Sequence, residues 1–541
     1  MPFPNADTVL AGATVRTLDP RRPLATAVAI RDGRIAAVGE EADVRHWRGP
    51  STQVVDLGGA TLTPGLTDGH THVVKGLELA QGIDLSGCKT LEQLRAALRE
   101  AARRAAPGSW ITGWNLDHNT FEGGPISRHL IDDVVGGIPT FLRLYDAHSA
   151  LVGSAALRAA GVDGPRRFDQ GASIVCDPDG RPTGHLVEQA AMETVAALIP
   201  GPSPTERRKH LLALLADMAA TGLTGGHVMD LETPDALDLL TAIEDEGVLP
   251  LRLRIAPWCQ PGAGTGELDR LIALQERAGR QWRVAGVKLF LDGTVEGGTA
   301  WLDHPDCHGA GNEPFWPDPA AYTRAVHDLD RAGVPTATHA IGDAAVRHVL
   351  DTVQALGTPH ARHRAEHLET VPDDQIPRFA RLGVAASMQP AHATYARADH
   401  SDEWSRRLGP ERAARAWRCR DLRAAGATLV LGSDWPVAPY DPRRVLAAAQ
   451  LRRHPGDSGT PPVRADQALT PSAALEGYTT HAARAAGEED IAGRIAPGYR
   501  ADLTAFTLDP LTTAPDELAD APIRLTMSGG HITHRTLSGH R

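Results

Sequence analysis

From residue 61 to residue 434 the chain carries short apolar runs, and helical stretches lie between several of them. The runs fall at 61–72, 222–230, 251–258, 284–293, 334–343, 361–367, 383–390 and 427–434. PDALDLLTAIEDEG, AAYTRAVHDLDRAG and IPRFARLG, with apolar residues at helical spacing, are among the separators. This alternation predicts parallel pairing, because parallel neighbours need a long crossover connection, usually a helix. One strand plus seven is the count of a (β/α)8 barrel of the TIM type, within the α/β class. In such a barrel the C-terminal strand ends meet at one mouth, so residues hundreds apart in sequence can share a site.

The two ends of the chain read differently. TVLAGATVRTL and ATAVAIRDGRIAAVG near the start, and RADLTAFTLD and IRLTMSGGHITH near the end, are short β runs. Asp32-Gly33 and Gly529-Gly530 supply two-residue hairpin turns. Neither piece is large enough to bury a core alone, so residues 1–60 and 490–541 are expected to pack together as one small β-sandwich domain. The barrel is expected over 61–74 and 222–489. Residues 75–221 exceed any ordinary βα connection and are expected to be an inserted α/β segment over the barrel mouth, after the first strand. Within it, TLEQLRAALREAARRA has the pattern of an amphipathic helix.

Composition narrows the classes of function. The formal net charge of −12 opposes nucleic-acid binding, which usually needs a basic face. No run approaches 18 uninterrupted apolar residues, so no membrane-spanning helix is expected. The N-terminal MPFPNADTVLAG lacks a signal-peptide pattern. Cys88, Cys176, Cys259, Cys307 and Cys419 are odd in number and include no C-x-x-C pair. A cytoplasmic protein acting on a small molecule is the expectation, with no nucleic-acid or membrane partner, and assembly into a homo-oligomer is left open.

The chemistry gathers at strand ends. His70 and His72 close the first run at i and i+2, so in a strand both imidazoles reach toward one point. Neutral imidazole is the commonest protein ligand for zinc-like metals. Lys288 lies on the fourth run, His339 near the end of the fifth, His367 at the end of the sixth and Asp434 at the end of the eighth. A single histidine among 24 is weak evidence; six positions agreeing with one geometry are not. Lys288 is also one of only four lysines, with Lys75, Lys89 and Lys209.

PGLTDGHTH resembles the first-strand motif of the amidohydrolase superfamily of metal-dependent hydrolases. GVKLFLDGT, HAIGDAAV, RAEHLE, SMQPAH and LGSDWPVAPYDP resemble successive motifs of its YtcJ-like branch, which includes N-substituted formamide deformylase. RPTGHLVEQAAM resembles the PTG-containing segment of that branch, and IAGRIAPGYRADLTAF its return to the small β domain. The likeness covers nearly the whole chain. It implies two divalent metal ions, zinc for preference. His70 and His72 would hold one and His339 and His367 the other. Lys288, carbamylated by CO2, would bridge both, since an ammonium cannot ligate a cation and its carboxylate adduct can. Asp434 would be a ligand and the catalytic proton carrier.

The implied reaction is hydrolysis of a C–N bond, an amide or N-substituted formamide, by a metal-bound hydroxide. Arg364, Gln389 and His392, at or just beyond strand ends, are candidate substrate contacts. Trp435 stands where the branch commonly has a small residue, and it is expected to narrow the pocket. Trp110, Trp114 and Phe121 are further candidates for an apolar wall. Gly153-Ser154 replaces the Asn-Ser usual in the segment YDAHSALVGSAAL. The alternatives on the same barrel are a cyclic-amide hydrolase, a lactonase or a deaminase. Deaminases of this fold typically use one metal without the strand-four lysine, so Lys288 weighs against them. A catalytically inactive scaffold relative would be expected to have lost ligands, and here the set is complete. A phosphate-binding barrel is a third alternative, but the ends of the seventh and eighth runs lack the Gly-rich loops it would need.

Overall fold

The computed structural model describes residues 5–168, 171–231, 233 and 235–536. The protein is α/β, and among the described residues five sheets carry the strands. Thr8–Ala11, Ala27–Arg31, Arg34–Gly39 and Gln53–Asp56 form one sheet near the N-terminus. Asp32 and Gly33, at φ 50° and 69°, make the tight turn that their sequence predicts. A second sheet joins both ends of the chain in the order His531–Arg535, Ile523–Ser528, Leu503–Phe506, Thr61–Pro64, Thr14–Arg16, Leu24–Ala25. Leu10, Val28 and Ile30 of the first sheet share one buried cluster with Leu62, Leu503, Leu525 and Met527 of the second.

The run TLTPGLTDGHTH, expected as one strand, is two. Thr61–Pro64 pairs antiparallel with Leu503–Phe506, whereas Leu66–Thr71 pairs in parallel with Leu223–Val228. Gly65 makes the change of sheet possible. Its N–H donates to the Asp502 carbonyl at 2.7 Å, and a Cβ there would lie 2.3 Å from Thr224 Oγ1. The backbones approach too closely at this point for any larger residue.

Two parallel sheets follow. One has the order Trp282–Val284, Arg252–Ile255, Leu223–Val228, Leu66–Thr71. The other runs Trp258–Cys259, Val287–Phe290, Thr336–Ala340, Arg364–His367, Ala385–Met388, Leu429–Leu431. On one side the chain itself passes from one sheet to the other, through residues 252–259 and 282–290. There Ala285 N–H donates to Ile255 and Lys288 N–H to Pro257. At the opposite edge backbone hydrogen bonds join the sheets, from Asp434 N–H to His70 and from His72 N–H to Trp435. Helices Pro319–Arg331, Asp343–Leu356 and Ile376–Leu382 connect successive strands and bury Val326, Leu329, Val346, Leu350 and Phe379 against them. Asp318 caps the first through Ala320 N–H with Pro319 at its start, and Gly383 ends the third at φ 69°.

Residues 83–187 carry a mixed six-stranded sheet. Its helix Leu91–Arg104 starts at a reciprocal cap between Thr90 and Gln93 and buries Leu94 and Leu98. Apolar clusters lie around Leu94, Ile111 and Leu142 and around Phe141, Ala150 and Leu186. Phe121 fills the first and Trp110 packs against the second, so these two aromatics serve the segment's own cores. Among the described residues no helix is long and apolar enough to cross a membrane.

Candidate metal centre

The strand ends bring the six expected residues together. His70 closes Leu66–Thr71, Lys288 lies on Val287–Phe290, His339 on Thr336–Ala340, and His367 ends Arg364–His367. Asp434 is the hub. Its Oδ1 lies 3.1 Å from His72 Nε2 and 3.4 Å from His70 Nε2; its Oδ2 lies 3.6 Å from His367 Nδ1. Lys288 Nζ is 3.4 Å from His70 Nε2, and the His339 and His367 rings are 4.4 Å apart. His367 and Asp434 both adopt left-handed backbone, φ 73° and 58°. That conformation is unfavourable for side chains of their size and turns both off the strand direction into the mouth.

Three of the four histidines are oriented from behind. His70 Nδ1 meets Glu366 at 2.6 Å and His72 Nδ1 meets Asp230 at 2.8 Å, which leaves both Nε2 atoms for the centre. His339 is reversed: Nε2 donates to the Gly293 carbonyl at 3.1 Å, so Nδ1 is the free nitrogen. Asp68, hydrogen-bonded by Ser433 Oγ at 2.5 Å and by the His70 and Ser433 N–H groups, pins the edge where the first and last strands meet.

The charges suit a cation. Burial, with the Lys288 charge, lowers His70 to about 4. Burial also holds His339 and His367 well below the usual histidine range, with neighbouring rings and Lys288 adding to it. These rings are neutral and can ligate. Burial lowers Lys288 to about 8, within reach of the neutral amine that adds CO2. Burial opposes charge on His72, but its bonds to Asp230 and Asp434 outweigh it and raise the ring to about 9. Burial opposes charge on Asp434 too, and His70 and His72 still hold it well below the carboxylate range. A proton on His72 therefore sits where a metal would draw electron density from the same nitrogen. His70, His367 and Asp434 offer ligand atoms all within 4.8 Å of one another. This nitrogen and carboxylate donor set fits zinc-like divalent ions.

The four expected substrate contacts separate. His392 lines the pocket over the centre, with Nε2 3.8 Å from Asp434 Oδ2. Arg364 does not line it. Strand alternation places Arg364 on the same inward face as Glu366, beneath the centre, where its guanidinium binds Glu366, Ser387, His227 and the Gly69 carbonyl. Gln389 is fully buried outside the pocket wall, and neither amide atom has a partner among the described residues. Trp435 also lies outside the wall, with its ring against Gly76, where a Cβ would lie 2.4 Å from Cζ3, and edge-on to Tyr440. The aromatic wall consists instead of Tyr145, Trp258, Phe290, Phe315 and Trp417, and Trp114 is not part of it.

The mouth, enclosing about 1300 Å³ with its open side, also receives residues that the sequence reading did not single out. His148 Nδ1 meets Glu188 Oε2 at 2.7 Å; burial opposes its charge, and Glu188 still raises it to about 9. Tyr145 donates to Glu296, and Trp404 Nε1–H donates to Glu369 at 2.6 Å. Burial raises Glu296 above the usual carboxylate range and Glu369 well above it. For His148 and Glu188 the only available signal was that both fall in segments resembling branch motifs, YDAHSALVGSAAL and RPTGHLVEQAAM.

Comparison with known proteins gives the family and the fold. The profile of the amidohydrolase family matches residues 53–534. The chain is similar to the putative amidohydrolase YtcJ of Bacillus subtilis, 29% identical over 94% of this chain and 96% of that one. It is also similar to N-substituted formamide deformylase of Arthrobacter pascens, 28% identical over 98% of each. Among solved structures, a metal-dependent hydrolase from Pyrococcus horikoshii superposes with a TM-score of 0.70 at 25% identity, covering 94% of this chain and 99% of that one.

Proposed function

The chain belongs to the amidohydrolase family, and we propose that it hydrolyses a neutral, linear amide of the N-substituted formamide type with an apolar group on one side. It is a hydrolase of carbon–nitrogen bonds other than peptide bonds. The observation that carries the reading is the convergence of His72, His339, His367, Lys288 and Asp434 at one pocket wall, with His70 buried against Asp434 and Lys288. The joined parallel sheets are read as one (β/α)8 barrel, residues 1–60 and 490–541 as a small β-sandwich domain, and residues 75–221 as an insertion over the mouth. His70 and His72 would hold one zinc ion and His339 and His367 a second, with carbamylated Lys288 between them. Such ions lower the pKa of a water and polarise a carbonyl.

The side chains do the rest. Glu366, Asp230 and the Gly293 carbonyl hold the imidazoles in the tautomers that ligation needs. Asp434, ionised and in reach of three histidines, takes the proton of the attacking water on its carboxylate and returns it to the leaving nitrogen. Trp258, Phe290 and Phe315 offer an apolar wall to the substrate.

The test presents zinc-loaded enzyme with N-benzylformamide, other linear amides, a hydantoin, a lactone and an aminopurine at equal concentration. Highest kcat/KM on the formamide or another linear amide is expected. Preference for the hydantoin, the lactone or the aminopurine would overturn the substrate assignment.

A further inference from the structure

Resting on the amide reading, we infer that His148, supported by Glu188, is the protein's own hydrogen-bond partner for the acyl oxygen of the substrate. The inserted segment supplies both residues. His148 lies just after the strand Thr140–Leu144, and its N–H donates to Asp146 Oδ1 at 3.0 Å. Glu188 follows the strand Pro182–Val187, and its N–H donates to the His148 carbonyl at 2.6 Å. The two are thus joined twice, by backbone and by the side-chain bond from Nδ1 to Oε2.

Four features separate this pair from an incidental ion pair. Glu188 stands at φ 65°, ψ 162°, a region that non-glycine residues avoid, and it is 3% exposed. Its second oxygen accepts the Thr299 hydroxyl at 2.6 Å, so both oxygens have fixed partners. Gly293 leaves the room for this: a Cβ there would lie 2.3 Å from Glu188 Oε1 and 2.2 Å from Thr299 Oγ1. Gly293 is also the residue whose carbonyl orients His339. One loop therefore sets the register of the pair and of a metal-centre histidine together.

With Nδ1–H donating to Glu188, Nε2 is the ring's remaining polar atom, and it donates in the imidazolium form that the paired Glu188 carboxylate favours. It has no partner among the described residues, and the side chain lines the pocket. The His148 ring lies 5.4 Å from His339, which lies 4.4 Å from His367. A substrate carbonyl seated in the pocket beside His339 would meet the His148 ring. Asp434 Oδ2 lies 3.6 Å from His367 Nδ1, and the proton carrier and the acyl-oxygen partner line the same pocket. Donors placed where charge develops act mainly on the transition state.

The test measures kcat and KM separately on the best linear amide for zinc-loaded wild type, His148→Ala and Glu188→Gln, with metal content and melting temperature for each. Loss of one such donor costs roughly 10²- to 10³-fold in kcat. That loss is expected for His148→Ala with metal content unchanged and KM moved far less, and added imidazole should restore part of the rate. Glu188→Gln should lose roughly tenfold or more by the same kcat signature. If His148→Ala does not fold, Glu188→Gln decides. Variants that bind metal normally and stay within about twofold of wild-type kcat overturn the inference and leave the amide reading standing. A wild type that hydrolyses no amide in the panel overturns the amide reading instead.

Discussion

Replacing Glu366 with glutamine tests the physical core of the site, because it changes one charge and almost no volume. Glu366 is fully buried and accepts three hydrogen bonds: Oε1 from Arg364 Nε at 2.5 Å, Oε2 from Arg364 Nη2 at 3.1 Å and from His70 Nδ1 at 2.6 Å. Burial opposes its charge, but Arg364 and His70 hold it well below the carboxylate range. A glutamine has one acceptor oxygen and one amide nitrogen. If the oxygen stays with Arg364, the amide NH2 faces His70 Nδ1 and drives that ring's proton to Nε2, the atom that must ligate. If the oxygen faces His70, the NH2 opposes the donors of Arg364, and a buried guanidinium loses its carboxylate. Breaking such a buried pair costs about 3–5 kcal/mol, and disturbing a ligand's supporting bond costs roughly 10- to 100-fold in metal affinity. Denaturant unfolding of the metal-free protein and competition against a zinc chelator measure the two effects separately. A Glu366→Gln protein that matched wild type in both would refute the tautomer argument and the role given to Arg364.

Asp434→Asn should fold normally and lose on the order of 10²- to 10⁴-fold in kcat, since asparagine cannot carry the proton; normal metal content with near-wild-type kcat would remove Asp434 as proton carrier. Zinc-loaded protein equilibrated with ¹³C-bicarbonate should show a carbamate ¹³C resonance that Lys288→Ala lacks, and close to two metal equivalents on analysis. A spectrum without that signal would end the bridging role. In the metal-free protein His72 is raised from 6.5 to about 9, so its stabilisation is complete below about pH 6.5 and is lost as pH rises through 9. The loss is on the order of 3 kcal/mol at most, readable as a falling melting temperature that His72→Asn removes; an unchanged slope in that variant would assign the effect elsewhere.

What could be read from the sequence was the part that chemistry confines to particular residue types. His70 and His72 announce themselves by spacing, and Lys288, His339, His367 and Asp434 by their places at the ends of apolar runs. The hairpin turns at Asp32-Gly33 and Gly529-Gly530 were legible because positive φ at both positions selects such residues. The break at Gly65 was not. Nothing in TLTPGLTDGHTH says that its first half pairs with Leu503–Phe506, 440 residues on, because that pairing is decided by the far end of the chain.

Arg364 was misplaced for a related reason. A strand's C-terminal end marks the mouth only for its last residue or two; two positions earlier on the same face, the side chain points into the layer below. In RAEH, alternation puts Arg364 and Glu366 together beneath the metal centre, and the left-handed backbone at His367 breaks that alternation to bring the ring into the mouth. A pattern built on ideal strands cannot anticipate a departure of that kind. The same holds for Trp435, whose ring found Gly76 because the glycine left room, a match between the helix Lys75–Leu79 and a residue far from it in sequence. The support carboxylates Asp68, Asp230 and Glu366 are ordinary acids by sequence and become recognisable only once a histidine lies within hydrogen-bonding distance of each. Ligands are thus constrained by what a cation will accept and can be read locally. Their orienting partners are constrained only by geometry, and for them the folded chain is the smallest unit that carries the information.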